Sequence, residues 1–145
     1  MNPLRRTLLG AAAVLLLKPL AALAAWHKEA FGAKSAPDAL KSLGVANAVP
    51  SQDVQIEAPQ IAENGAVVPV EISSNIKGTT SILVLIDKNP FPLAGRFDFA
   101  EGALPFVKVN LKMNETSDVR VVAEAGGKHY FATREIKVTI GGCGG

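Results

Sequence analysis

From residue 53 onward, apolar side chains return at every second position, and that period restricts what the chain can fold into. Val54 and Ile56, then Val68, Val70 and Ile72, then Val107, Val109 and Leu111, then Val119 and Val121 each alternate with polar neighbours. A period of two puts the apolar members on one face of an extended strand, whereas a helix would scatter them around its circumference. Ile82-Leu83-Val84-Leu85-Ile86 is instead continuous and predicts a central strand over residues 80–86, covered on both faces. The last run, residues 129–140, sets Ile136, Val138 and Ile140 in period two. Turn-forming clusters punctuate the runs: Glu63-Asn64-Gly65, Lys77-Gly78, Asn89-Pro90-Phe91-Pro92, Glu101-Gly102 and Gly126-Gly127. Roughly seven short strands in about 90 residues predict an immunoglobulin-like antiparallel β-sandwich over residues 51–140.

The chain before this point reads differently. Residues 25–50 are rich in Ala, Lys and Leu and predict a short helical preface. Its clearest helix spans residues 37–44, with Ser35 placed to cap it and Gly44 to end it. Residues 1–24 have the form of an export signal. The pair Arg5-Arg6 precedes an apolar run over residues 8–17, Lys18-Pro19 interrupts it, and Ala22-Leu23-Ala24 offers a cleavage site. A run of about ten is too short to span a hydrocarbon core, so no membrane anchor is expected. The arginine pair and Lys18 point to the twin-arginine route and a periplasmic destination, with an ordinary secretion signal as the alternative.

Charge and composition exclude several function classes. Three of the 15 basic residues (Arg5, Arg6 and Lys18) lie in the leader, which leaves 12 against 13 acidic residues. A near-neutral surface does not suit a protein that reads a nucleic-acid backbone. His27 and His129 stand alone, without the spacing of a metal site. Convergence of Cys143, a histidine and Met113 on a soft metal is conceivable in space but is not indicated by spacing, so no metal is expected. There is no G-x-S-x-G, no phosphate-binding glycine loop and no H-E-x-x-H, and the scattered carboxylates read as solvent-facing strand positions. Hence no catalytic residue is assigned.

One residue remains. Cys143 is the chain's single cysteine, set in Gly141-Gly142-Cys143-Gly144-Gly145 at the C-terminus. It has no intramolecular disulfide partner, and an exposed thiol in an oxidising compartment invites irreversible oxidation. Gly141, Gly142, Gly144 and Gly145 lack Cβ atoms, so they form a slim, freely rotating arm that can pass where bulkier flanks would jam. No Lys or Arg adjoins Cys143 in sequence to lower its pKa. The thiol therefore reads as a handle that is activated by whatever it docks into.

The terminal Gly-Gly-Cys-Gly-Gly, behind a strand-rich domain and a twin-arginine leader, resembles the SoxY family of sulfur carriers. Three interior stretches resemble it too: Ile61-Ala62-Glu63-Asn64-Gly65-Ala66-Val67-Val68-Pro69-Val70, Asn89-Pro90-Phe91-Pro92-Leu93 and Thr116-Ser117-Asp118-Val119-Arg120. The resemblance implies a carrier in thiosulfate oxidation and not an enzyme. Cys143 would hold the substrate as a cysteine S-thiosulfonate and related persulfide species, with no other cofactor. It further implies a heterodimer with a SoxZ-like β-sandwich subunit. Transient partners would be a c-type cytochrome (SoxXA), a hydrolase (SoxB) and in some cells a sulfur dehydrogenase (SoxCD).

Three other readings use the same C-terminus. A periplasmic metallochaperone or thiol redox module would use Cys143 as a soft ligand or thiol. A thiocarboxylate carrier would use Gly145, but it would need ATP, which the exported compartment lacks. A hydrolase would use Cys143 as a nucleophile and turn over alone. Finally, Phe91, Phe97, Phe99 and Phe106 are expected to cluster around the Asn89-Pro90-Phe91-Pro92 loop, either as a partner-binding patch or as ordinary core.

Overall fold

The computed structural model describes residues 26–45 and 47–140. Two short helices, α1 (Lys28–Gly32) and α2 (Ala36–Ser42), precede nine strands. The α2 boundary follows from local chemistry. The Ser35 hydroxyl accepts the Asp38 N–H at 3.2 Å, Pro37 sits in the first turn, and Gly44 leaves the helix at φ +71°.

The strands are β1 (Val49–Pro50), β2 (Val54–Glu57), β3 (Ile61–Ala62), β4 (Val68–Ser74), β5 (Thr79–Ile86), β6 (Leu93–Asp98), β7 (Phe106–Leu111), β8 (Ser117–Ala125) and β9 (Lys128–Val138). The larger sheet runs β1-β9-β8-β5-β6, with β3 also on β9, and the smaller runs β2-β4-β7. With β9-β8-β5-β6 set against β2-β4-β7, the sandwich is immunoglobulin-like. Its long ladders are antiparallel. The exceptions to the all-antiparallel expectation are β1 and β3, which run parallel to β9. The end of the predicted helical preface is likewise extended, because Val49 precedes a proline and is biased away from helical backbone.

Burial follows the sequence periods. Val68, Val70 and Ile72 of β4 meet Ile82, Val84 and Ile86 of β5, Val119 and Val121 of β8, and Ile136 of β9 between the sheets. The other face of β5 sends Leu83 and Leu85 toward Ala30, Ala36 and Ala39 of the helices, with Leu93 and Val122 completing that second cluster. Alanine at the helix contacts lets the helices lie close to the sheet. The continuous apolar run of β5 is thus the middle of three layers, with helices on one side and the small sheet on the other.

The two long edges of the sandwich differ. On one side, residues 49–62 lace it shut: β1 pairs with β9, β2 with β4, and β3 with β9 again. Arg134 Nη1 donates to the Ile56 carbonyl at 3.2 Å across that seam. On the other side, β6 and β7 each have one strand neighbour among the described residues.

Strand direction also separates the two ends. One end carries the β3–β4, β5–β6 and β7–β8 connections and the exit of β9. The far end carries the β4–β5 and β6–β7 connections and the Gly126-Gly127 turn. This corrects the expected aromatic cluster. Phe91 sits in the β5–β6 connection, but β6 carries Phe97, and Phe99 just past its end, away from it, and Phe106 pairs with Ser73 near the far end. Phe97 and Phe99 pack against the inter-sheet core, while Phe91 and Phe106 are half exposed.

Ile82 lies wholly inside the inter-sheet cluster. Replacing it with alanine should cost about 2–5 kcal/mol. Chemical denaturation should show a lower midpoint, with the rate at which Cys143 reacts with a small thiol reagent in native buffer unchanged.

Candidate functional site

The sequence candidates Arg5, Arg6, Gly141, Gly142, Cys143, Gly144 and Gly145 lie outside the described residues. What the structure defines is the place from which the cysteine-bearing arm departs, at Ile140. Strand β9 ends at Val138, yet the backbone stays tied for two residues more. On one side, Lys137 N–H donates to the Gln60 carbonyl (3.0 Å) and Thr139 N–H to the Ala62 carbonyl (3.1 Å). The Thr139 hydroxyl donates to the Glu63 carbonyl (3.1 Å), and the Ile140 carbonyl accepts the Gly65 N–H (2.8 Å). On the other side, Val138 N–H donates to the Thr116 hydroxyl oxygen (2.9 Å). The root of the arm is therefore gripped from both flanks.

The gripping segments hold one another as well. Met113 N–H donates to the Gly65 carbonyl at 2.7 Å, which joins the β3–β4 turn to the β7–β8 connection. Asn89 bridges the next gap: its Nδ2 donates to the Lys112 carbonyl (2.7 Å) and its Oδ1 accepts the Asn114 N–H (3.1 Å). Lys88 N–H donates to the Ser117 hydroxyl oxygen (3.0 Å), and Arg120 Nη2 pairs with Asp87 at 3.0 Å. Pro90 and Pro92 limit the backbone freedom of this connection. The Lys34 ammonium lies 3.6 Å from the Phe91 ring centroid and ties the helical layer to it.

The sequence did not announce this lattice. It runs through the three interior stretches singled out by resemblance, which are separated along the chain and meet at one end of the sandwich, and is completed by Gln60, Lys88, Lys112, Met113 and Asn114 outside them. A signal was present in Asn64 and Asn89, polar residues in turn clusters. Asn64 Oδ1 accepts the Ala66 N–H at 2.9 Å and shapes its own turn, whereas Asn89 spans to another connection.

Around the root, Ile61, Val67 and Ile140 are 56%, 56% and 65% exposed. Glu63, Lys112, Glu115 and Lys137 are exposed beside them. The histidines are elsewhere. His27 is exposed ahead of α1, and His129 lies beside the far-end glycine turn, opposite Glu124. Met113 is fully buried in the inter-sheet core, so it and His129 do not converge. No group of three or more His, Cys, Asp or Glu able to hold a metal occurs among the described residues. A cavity of about 580 Å³ lies at the far end, lined by Ile76, Phe99, Ala103 and Pro105 among others, and does not adjoin the arm's root. Among the described residues, the clear pKa perturbation is on the smaller sheet, where a hydrogen bond from Lys108 to Glu71, and then their mutual attraction, raise the lysine above its usual value.

A family model described as "Sulfur oxidation protein SoxY" matches residues 40–143. Among solved structures, the sulfur carrier protein SoxY from Chlorobium limicola f thiosulfatophilum is 40% identical, covers 70% of this chain and 92% of its own, and superposes with a TM-score of 0.64. A chain from a structure of T cell activation by the superantigen toxic shock syndrome toxin-1 is 15% identical, with coverage of 59% and 98% and a TM-score of 0.40. At that level the likeness bears on neither fold nor function. No curated protein sequence matches the chain.

The grip on the arm's root makes a measurable difference. Thr116→Val removes the acceptor of the Val138 N–H. The loss of about 1 kcal/mol expected for such a bond should speed amide exchange at Val138 and Thr139 by roughly fivefold. Exchange in the middle of β8 should be unchanged, as read by hydrogen-exchange mass spectrometry or NMR.

Proposed function

This chain belongs to the SoxY family of sulfur oxidation proteins, and from that membership we propose that Cys143 bears the sulfur substrate covalently and presents it to partner enzymes. The family supports a carrier role in sulfur oxidation. The observation that carries the finer reading is the grip on residues 137–140, which fixes the point from which the cysteine departs. Cys143 lies three residues beyond that point. At about 3.3–3.6 Å per extended residue, the thiol reaches roughly 10 Å beyond the root.

In the proposed cycle, the Cys143 thiol and the sulfane sulfur of thiosulfate form a sulfur–sulfur bond. The thiol loses its proton, and two electrons pass to a c-type cytochrome. The product is cysteine S-thiosulfonate. Water then attacks the terminal sulfonate sulfur in a hydrolase, releasing sulfate and leaving a persulfide on Cys143. In cells that have it, a sulfur dehydrogenase oxidises the remaining sulfane to a sulfonate, with water supplying the oxygens and six electrons leaving to an acceptor, and a second hydrolysis releases sulfate and restores the thiol. Thiosulfate would diffuse away between such steps, and tethering turns each later encounter into protein docking.

A stable second β-sandwich subunit is part of the proposal. The open edges of β6 and β7 lie on the same side of the sandwich, and exposed edges invite strand pairing or cover by another chain. No helix among the described residues is long and apolar enough to cross a membrane. Sox proteins are generally periplasmic, and we assign the route there to the Arg5-Arg6 signal.

Intact-protein mass spectrometry on chain purified from thiosulfate-grown cells tests the carrier reading. Added sulfur species, removed by reduction, should appear on the wild type. They should be absent from Cys143→Ser, because a hydroxyl neither ionises under these conditions nor forms a sulfur–sulfur bond. Gly142→Val should leave small-reagent labelling unchanged but slow enzymatic loading about tenfold or more, since a β-branched neighbour stiffens and widens the arm. An unchanged ratio of the two rates would remove the case for entry into a narrow cleft.

Export is tested separately. Replacing Arg5 and Arg6 with lysine should leave precursor in the cytoplasm, as seen by fractionation and immunoblot. Undiminished periplasmic protein would rule out the twin-arginine route.

A further inference from the structure

We infer that the apolar collar around the arm's root, formed by Ile61, Val67 and Ile140, is the surface on which the mouth of each sulfur-processing enzyme's catalytic cleft docks. The inference rests on the carrier reading and adds the place and chemistry of docking. The occupant is an enzyme with a cleft narrow enough for a glycine-flanked thiol and with an apolar rim around its opening.

Reach fixes the place. Cys143 departs from Ile140 with three residues of chain, so it extends no more than about 10 Å past the collar. Any cleft that receives it must bring its mouth against the protein surface at that root. The hydrogen bonds from Gly65, Thr139 and Val138 keep the root from peeling away to lengthen the tether. The far end has exposed apolar residues of its own, Leu104 and Phe106. But Phe106 pairs with Ser73 at the far end of β4, and the seven residues of β4 alone put that end about 20 Å from the root. A tether of roughly 10 Å cannot serve an enzyme docked there.

Chemistry fixes the character. Ile61 is in β3, next to Gln60 and two residues before Glu63 on the segment that binds β9. Val67 is two residues from Gly65, whose N–H holds Ile140. All three collar side chains are more than half exposed, with exposed Glu63 and Lys137 in the same segments and exposed Lys112 and Glu115 in the β7–β8 connection that is hydrogen-bonded to them. An apolar centre among mixed charges is the layout of a protein-binding surface, where the centre supplies affinity and the polar rim keeps the free protein soluble. Both signs of charge are present, so the collar does not depend on a partner of one net charge.

The test varies carrier concentration in thiosulfate conjugation catalysed by the pathway's c-type cytochrome, with an excess of a one-electron acceptor that reoxidises it. The variants are Ile61→Asp with Val67→Asp, Ile61→Ser with Val67→Ser, and Leu104→Asp at the far end. The reaction of Cys143 with a methanethiosulfonate reagent and the thermal midpoint are measured alongside. Both collar pairs should raise KM about tenfold or more, with kcat within twofold of wild type and the methanethiosulfonate rate unchanged. The serine pair separates loss of apolar contact from added charge and guards against misfolding of the aspartate pair. Leu104→Asp should behave as wild type. An unchanged KM in the serine pair, or an equal rise in Leu104→Asp, would overturn the collar. Wild type that takes up no sulfur with the cytochrome, the acceptor and thiosulfate would overturn the carrier reading, and the collar with it.

Discussion

Strand β9 is the member on which the rest of the structure depends. It pairs along one side with β8 over nine residue pairs, and along the other with β1 near its start and β3 near its end. A strand bonded on both sides has few free backbone groups, so its end does not fray as an isolated edge would. The result is a rigid frame that reaches the last residues before the glycine-rich arm. The same pairing draws residues 49–62 across the seam and closes one side of the sandwich.

That frame has a functional consequence because the arm is short. A long tether would make the exit point unimportant, since the thiol could explore a wide volume from any root. With three residues to Cys143, the exit point decides which surfaces the thiol can serve. The interlocked connections at this end, from Asn89 through Met113 and Gly65 to Ile140, make that point a property of the fold.

Much of the sandwich was legible in the sequence because β4, β7 and the start of β8, at Val119 and Val121, each bury one face, and a half-buried strand writes its burial as alternation. β5 was legible for the opposite reason, since helices and small sheet cover both its faces. β6 hid. Its Leu93-Ala94-Gly95-Arg96-Phe97-Asp98 has no clean period, partly because the Phe97 ring lies where a side chain on Gly95 would be, 3.1 Å from an added Cβ. β1 and β3 hid because two residues cannot show a period, and their parallel pairing has no hairpin turn to mark it. The candidate site divides the same way. The lone thiol and its slim flanks gave the expectation of a handle, which falls outside the described residues. The grip on its root could not be read in the sequence, because it is built from backbone groups of residues far apart in the chain, and those groups are alike in every residue but proline.

The magnitudes suit a carrier that must let go. Fixing the three residues that lead to the thiol costs about 1–2 kcal/mol each, and glycine lies toward the expensive end. Full burial of a Val or Ile side chain contributes about 1.5–3 kcal/mol. Ile61, Val67 and Ile140 are already partly covered, so finishing their burial contributes roughly half of that for each. The ordering of the arm and the burial of the collar are then both a few kcal/mol and nearly cancel. In the proposed cycle, what would remain to hold the complex is the contact of the substrate group and the glycines with the cleft, a contact that would change with each chemical step. A carrier bound through a large collar would stay with its first enzyme, whereas one with a small collar is released when the group on its cysteine no longer fits.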